Sequence, residues 1–472
     1  MKKILISLLL LVALCVNVFA MTGCDFIGGD QVSDEAVAYD GSAVTITFSH
    51  TMGQNLRAVL EHYIKEFNKL YPNITIEASQ VGGWDDIRDT INTQITGNNQ
   101  PNIAYCYPDH VAGYLASGAV ASLDNFINNT EVVTRADGTT EVMGLTDAQK
   151  ADYIEGYYKE GAVFDAEGTM YTLPLAKSTE VIFYNKAVFD ELGLSVPTTW
   201  AEMEEVCAVL KEKYPKSTPL GYDSEANWFI TMCEQYGSGY TSKDSNNHFL
   251  FDNDTSKGFV KMFREWREKG YVTTQKIYKA YTSKLFTSQT DEKCFMVIGS
   301  TGGSGNQSPA QVDGEYPFEV GVAPIPQVNA AAPKVISQGP SLCIFKDSNP
   351  QEVAASWLFV KYITTSVAFQ AEFSMASGYA PVIKSVKDNE IYANYLSQAN
   401  GTTRLTALGC KIALEQENAY FVSPAFVGSS QARDSVGSIM INVLSTDKTD
   451  IDAVINEEFA KAIAACEYAA RD

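Results

Sequence analysis

From Val44 onward, short apolar or β-branched runs alternate with segments of helical spacing, and this alternation constrains the fold most. Residues 44–48 form a β-branched run. Leu56, Val59, Leu60, Tyr63, Ile64, Phe67 and Leu70 follow at helical spacing, and Pro72 closes that helix. The pattern then predicts a strand over 74–78, a helix over 86–95 and a strand over 103–106. Strand–helix–strand order of this kind builds a parallel sheet with helices on both faces. After an insertion rich in threonine and acid between 128 and 151, the pattern restarts. Strands are predicted over 172–174, 181–184, 295–298 and 320–324, and helices over 186–192, 200–214 and 255–269. Thr199-Trp200-Ala201-Glu202 reads as a capping box. The 472 residues, 45% of them hydrophobic, suffice for two or three domains.

The start of the chain bears on location. Lys2 and Lys3 precede an uncharged, largely apolar stretch over 4–20, and then Met21-Thr22-Gly23-Cys24. That is the layout of a bacterial secretory signal over 1–23. Thr-Gly-Cys resembles the lipobox of bacterial lipoproteins, in which Cys24 is acylated, although Met21 stands where leucine is usual. Val18-Phe19-Ala20 offers a site to a different peptidase, and an uncleaved anchor is a third reading. Residues 24–41, rich in glycine and acid, read as a flexible tether.

Fifty-seven acidic against thirty-five basic residues give a net charge of −22, which disfavours nucleic acid as a partner. Beyond Cys15 and Cys24, seven cysteines remain, widely spaced and without a CxxC pair. They read as small buried hydrophobes and not as a disulfide framework or a metal site. No cofactor or metal is expected.

Several stretches in order resemble one family. They are Thr45 to Gly53 with its helix, Gly82-Gly83-Trp84-Asp85-Asp86, and Gly97-Asn98-Asn99-Gln100-Pro101-Asn102-Ile103-Ala104 followed by Tyr107-Pro108-Asp109-His110. Then come Leu173 to Lys186, Pro197-Thr198-Thr199-Trp200 and Gly378-Tyr379-Ala380-Pro381-Val382. Together they look like the extracellular solute-binding proteins of ABC importers, the family of maltose-type and glycerol-3-phosphate-type receptors. The resemblance implies an α/β, two-lobe periplasmic-binding-protein fold with hinge strands and a ligand cleft between lobes. Mapped onto the motifs, lobe one holds 42–176 and 320–364, and lobe two holds 177–319 and 365–472. It implies a monomeric, non-catalytic lipoprotein that captures a carbohydrate, in particular an oligosaccharide, by lobe closure and delivers it to the permease subunits of an importer. Glycerol-3-phosphate or its diesters are the alternative ligands. Chemotaxis or adhesion is a further role the sequence does not separate.

Candidate ligand contacts follow from both arguments. Trp84, in a loop between a glycine pair and an acidic pair, offers a flat face for sugar C–H surfaces. Asp85 shares that loop and competes with a helix-cap role. Asp109 follows a buried strand at its C-terminal end, where ligands dock in open sheets, and a cap role competes there too. Trp228 is divided evenly between binding and core, whereas Trp200 and Trp266 fall on helical core patterns. Ser300 and Thr301 lie in the run 299–305, which follows a buried strand and lacks a P-loop ending. By resemblance, Ser178 sits at the lobe crossing, Gly339 in a glycine loop before a strand, Tyr379 in the late motif, and Arg433 where glycerol-phosphate-type relatives hold a basic residue. A secreted glycoside hydrolase is the competing class, but no carboxylate pair is marked out and neither HExxH nor GxSxG occurs.

Overall fold

The computed structural model describes residues 36–244 and 246–471, so the leader, Cys24 and most of the expected tether lie outside the described residues. Two mixed sheets organise the chain. The first has strand order Ile74–Gln80, Val44–His50, Ile103–Cys106, Ser341–Ile344, Thr172–Pro174. Its first three strands run parallel, joined by helices Gln54–Leu70 and Trp84–Thr96, while Ser341–Ile344 is antiparallel to both its neighbours. Gln54–Leu70 turns Leu60, Tyr63 and Phe67 inward, as their spacing requires. Every residue of Ile103–Cys106 and Ser341–Ile344 is buried, which accounts for their continuous apolar pattern.

The second sheet is built around the eight-residue strand Ser178–Asn185. Met296–Ser300 pairs with one edge of it, then Leu220–Tyr222 and Val272–Thr274. The other edge is shared in line: Val320–Pro324 pairs with 181–185, and Val335–Gln338 pairs with Thr179 and Ser178. Trp200 and Trp266 are buried in this lobe's core, and the expected capping box forms, with Thr199 Oγ1 accepting from Glu202 N at 3.2 Å.

Three differences from the expected organisation matter for the cleft. Val320–Pro324 and Val335–Gln338, expected with lobe one, belong to the second sheet, because the long central strand offers more edge than its own lobe's neighbours fill. Residues 367–410, expected with lobe two, place Phe369, Phe373, Val382, Val386, Tyr392, Ala407 and Cys410 in the first core. Helix Trp84–Thr96 starts two residues early, because Gly83 caps it and donates its N–H to Asp86 Oδ2 at 2.7 Å.

The chain therefore crosses between lobes at 175–177, at Gly339-Pro340, and again before Tyr420–Phe421, which pairs with Val335 and Ile336. The first two crossings touch. Lys177 also exchanges backbone hydrogen bonds with Ala380, tying the late segment to the same point. All seven cysteines among the described residues are buried free thiols. Among the described residues no helix is long and apolar enough to cross a membrane.

Candidate ligand cleft between the lobes

A cavity of about 60 Å³ lies where the crossings meet. Tyr107, Pro108, Asp109 and Glu160 line it from the first lobe, Ile230, Tyr240, Ser423, Ser429 and Arg433 from the second, and Ser337, Gln338 and Gly339 from the crossing itself. A second, more polar cavity of about 240 Å³ shares Asp109 with it and is bounded by Arg88, Asn92, His110, Ser430, Gln431 and Asp434. The lobes touch directly here. Arg88 Nη1 meets Asp434 Oδ2 at 3.0 Å, and Ser430 Oγ donates to Asp109 Oδ2 at 3.3 Å.

Two helix N-termini converge on this point. Pro108–Ala116 begins in lobe one, following the buried strand Ile103–Cys106, and Ser429–Ser445 begins in lobe two after Gly428. Orphan N–H groups at such ends favour negative charge. Asp109, in the first turn of one helix and bonded by Ser430 of the other, supplies it from the protein.

Polar groups reach the cavity through one amide. Asn227 Oδ1 accepts from Arg433 Nη2 and from Gln338 Nε2 at 3.0 Å, and Asn227 Nδ2 donates to Gln338 Oε1 at 2.7 Å. Glu160, on the opposite wall, is paired with Lys177 Nζ, both being buried. Burial, with the Tyr379 hydroxyl close by, drives the Tyr107 hydroxyl well above its ordinary pKa, so it stays a neutral donor. Three further hydroxyls on the wall, those of Tyr240, Ser337 and Ser423, are buried with no hydrogen-bond partner in the protein.

Of the candidates from sequence, Asp109, Gly339 and Arg433 line this cavity. Trp84 stands one layer behind it: the indole stacks on Tyr107 with centroids 3.9 Å apart at 22°, and on Tyr105 at 5.0 Å and 12°. Trp84 is the first helical residue, not a loop residue. Tyr379 is half-buried near Tyr105 and Tyr107 and packs on Gly302, where an added Cβ would sit 2.7 Å from its ring. Ser178 is buried at the crossing and pairs in register with Gln338.

The others are not brought together. Trp228 is fully buried, stacked on Tyr222 at 4.8 Å and packed on Phe263 at 4.0 Å, so it is a core residue. Thr301 is also fully buried, with its Oγ1 accepting from Thr179 N, and the glycine run coils into the 3₁₀ helix Thr301–Gln307. Ser300 spends its hydroxyl on capping that turn, accepting from Gly302 N at 3.1 Å. Asp85 is exposed, and the capping carboxylate is Asp86. Sequence reasoning missed Tyr107, Asn227, Tyr240, Ser337 and Gln338. Tyr107 and Asn227 were within two residues of chosen positions, whereas nothing local marks Tyr240 or Ser337.

The described residues contain no cluster of His, Cys, Asp and Glu arranged to hold a metal ion. Residues 62–398 match the family described as bacterial extracellular solute-binding protein. The sn-glycerol-3-phosphate-binding periplasmic protein UgpB of Escherichia coli K12 is 22% identical over 360 residues, 74% of this chain and 76% of that protein. Among solved structures, UgpB of Mycobacterium tuberculosis in complex with glycerophosphocholine superposes with a TM-score of 0.72 at 19% identity, covering 90% of this chain and 99% of that one. An ABC substrate-binding protein of Listeria monocytogenes in complex with cycloalternan gives 0.71 at 16% identity, covering 89% and 98%. With a family match across most of the chain and a cleft closed by two α/β lobes, this protein belongs to the bacterial extracellular solute-binding proteins, a family of binders and not of enzymes.

Proposed function

We infer that the protein captures a neutral carbohydrate, in particular an oligosaccharide, between its lobes and passes it to the permease of an ABC importer. The observation that carries this reading is the set of unpartnered buried hydroxyls of Tyr240, Ser337 and Ser423 on one cavity wall. A buried polar group without a partner costs about 1–3 kcal/mol, which a polyhydroxylated ligand offsets by bonding to it. Tyr107, backed by Trp84, adds an aromatic surface of the kind sugars use. Asp109 accepts from hydroxyls and repels phosphate. At about 60 Å³ the cavity is smaller than a disaccharide, so entry requires the lobes to open.

A phosphodiester is the second reading, favoured by Arg433 and the start of helix Ser429–Ser445 on the same wall, and by the ligand of the M. tuberculosis relative. Thermal shift with maltose, maltotriose and cycloalternan against sn-glycerol 3-phosphate and glycerophosphocholine separates the two. A saccharide at 100 times its Kd is expected to add about 2.7 kcal/mol of stability, with the phosphates silent. Tyr240→Phe should then weaken the best saccharide by roughly 2–10-fold, the net worth of one hydrogen bond. A phosphodiester response abolished by Arg433→Gln would replace the first reading with the second.

The cell-envelope part of the proposal rests on the leader. Acylation of Cys24 anchors the protein on the outer side of a membrane; the end of the expected tether is no free linker, since Tyr39 is buried in the first core and Ala36, Val37 and Ala38 pack on it. Cys24→Ala is expected to leave the precursor unprocessed or release it from the membrane fraction. Normal processing and unchanged fractionation of that variant would remove the anchor.

A further inference from the structure

Glu180 lies outside the cavity, 2% exposed, on the central strand of the second sheet. Its Oε2 accepts from Tyr222 Oη at 2.7 Å, and its Oε1 accepts from Asn227 Nδ2 at 2.9 Å. Asn227 thereby uses both amide protons, on Glu180 and Gln338, and its carbonyl faces Arg433 and Gln338. The amide has two orientations, and only one presents oxygen to the guanidinium. An ionised carboxylate at Oε1 selects that one, since it accepts and does not donate.

We propose that Glu180 is a positioning residue for ligand binding, acting through Asn227 to fix Arg433 and Gln338 on the cavity wall, and that its ionised form is the one that holds the site. Protonated on Oε1, the oxygen that faces Asn227, Glu180 becomes a donor to it. It then favours the Asn227 carbonyl and turns the amide N–H groups toward Arg433, donor against donor. Ligand affinity therefore falls as the carboxyl takes up a proton. Burial pushes this carboxyl up to about 7, with the bonds from Tyr222 and Asn227 and the charge of Arg433 opposing, which brings the change into the neutral range. The proposal rests on the cleft being the binding site and not on the class of ligand.

The ionisable groups facing Glu180 are few. Tyr222 and Asp223 come from the end of Leu220–Tyr222, the strand beyond Met296–Ser300, and Arg433 comes from helix Ser429–Ser445. Strands Met296–Ser300, Val320–Pro324 and Val335–Gln338 and the turn Thr301–Gln307 carry none. On the helix Glu225–Tyr236, Glu225 is turned to the backbone N–H of Lys276. Lys411 and Glu415, on the helix packed across the strand, are exposed.

Two readouts test it, the first without ligand. In the ¹⁵N-arginine-labelled apo protein, the Arg433 Nε–H resonance, identified by its loss in Arg433→Lys, should shift with a midpoint near neutral pH in the wild type. It should be flat in Glu180→Gln. A flat wild-type profile, or an unchanged titration in Glu180→Gln, overturns the proposal whatever the ligand is. In the second, calorimetry with maltotriose and with sn-glycerol 3-phosphate between pH 5.5 and 8 should show affinity at least threefold higher at pH 8 for the probe that binds. Glu180→Gln, a neutral isostere that can donate, should bind at every pH about as the wild type does at pH 5.5 and lose the dependence, while Asn227→Ala should bind weakly at every pH. Wild-type affinity in Glu180→Gln at pH 8 would mean that the carboxylate charge does not hold the site, and overturns the proposal. Silence of both probes in the wild type counts against the choice of ligand, while the resonance still decides the role of Glu180.

Discussion

Replacement of Glu160 by alanine is expected to destabilise the protein by about 3–5 kcal/mol, because it leaves the Lys177 ammonium buried and unpaired. Lys177 is 1% exposed and Glu160 is the carboxylate on its Nζ. The ring of Tyr157, 6.0 Å away, is too weak a substitute for a full counter-charge. The double variant Glu160→Met with Lys177→Met removes both charges and should regain most of the loss, since apolar replacement of a buried pair is commonly neutral. Urea unfolding of the two single variants and the double closes a cycle. If Glu160→Ala unfolds at the wild-type midpoint, the pair contributes nothing and Lys177 has another way to water. The position gives the pair functional weight: Lys177 ends the first crossing and Glu160 lines the cavity, so the charge pair joins hinge to cleft.

Gly339→Val is the second large effect. Gly339 has φ +116, in the region that side chains rarely adopt, and an added Cβ would lie 2.4 Å from the Ala176 carbonyl oxygen and 2.7 Å from Lys177 Cα. Those atoms are backbone of the adjacent crossing and have no rotamer by which to yield. Backbone strain of about 1–3 kcal/mol adds to overpacking of about 1–3 kcal/mol. A total loss of about 2–6 kcal/mol is expected, together with an altered change in radius of gyration on ligand addition, because the two hinge segments would be forced apart. Wild-type stability in Gly339→Ala would mean that the loop relaxes and the close approach of the crossings is dispensable.

The fold was legible where the signal is local. The helix over residues 54–70 was readable because Leu60, Tyr63 and Phe67 repeat at its period, and the capping box at Thr199 formed because its partners are three residues apart. The lobe assignment of 320–324 and 367–410 was not legible in this way. A buried apolar strand carries no mark of which edge it will join, and Ser178–Asn185 takes its partners from residues more than one hundred positions away.

Site residues divide on the same line. Trp84 and Trp228 are the same residue type beside helix starts. Only packing put one behind the cavity and the other against Tyr222 and Phe263. By itself the sequence determined the alternating elements and the order of the family motifs, both properties of neighbouring residues. The tertiary structure alone decided which hydroxyls lack partners, that Asn227 joins Glu180 to Arg433, and that two hinge segments meet at Gly339. Each depends on groups distant in the chain meeting within a few ångströms, and periodicity carries no information about that.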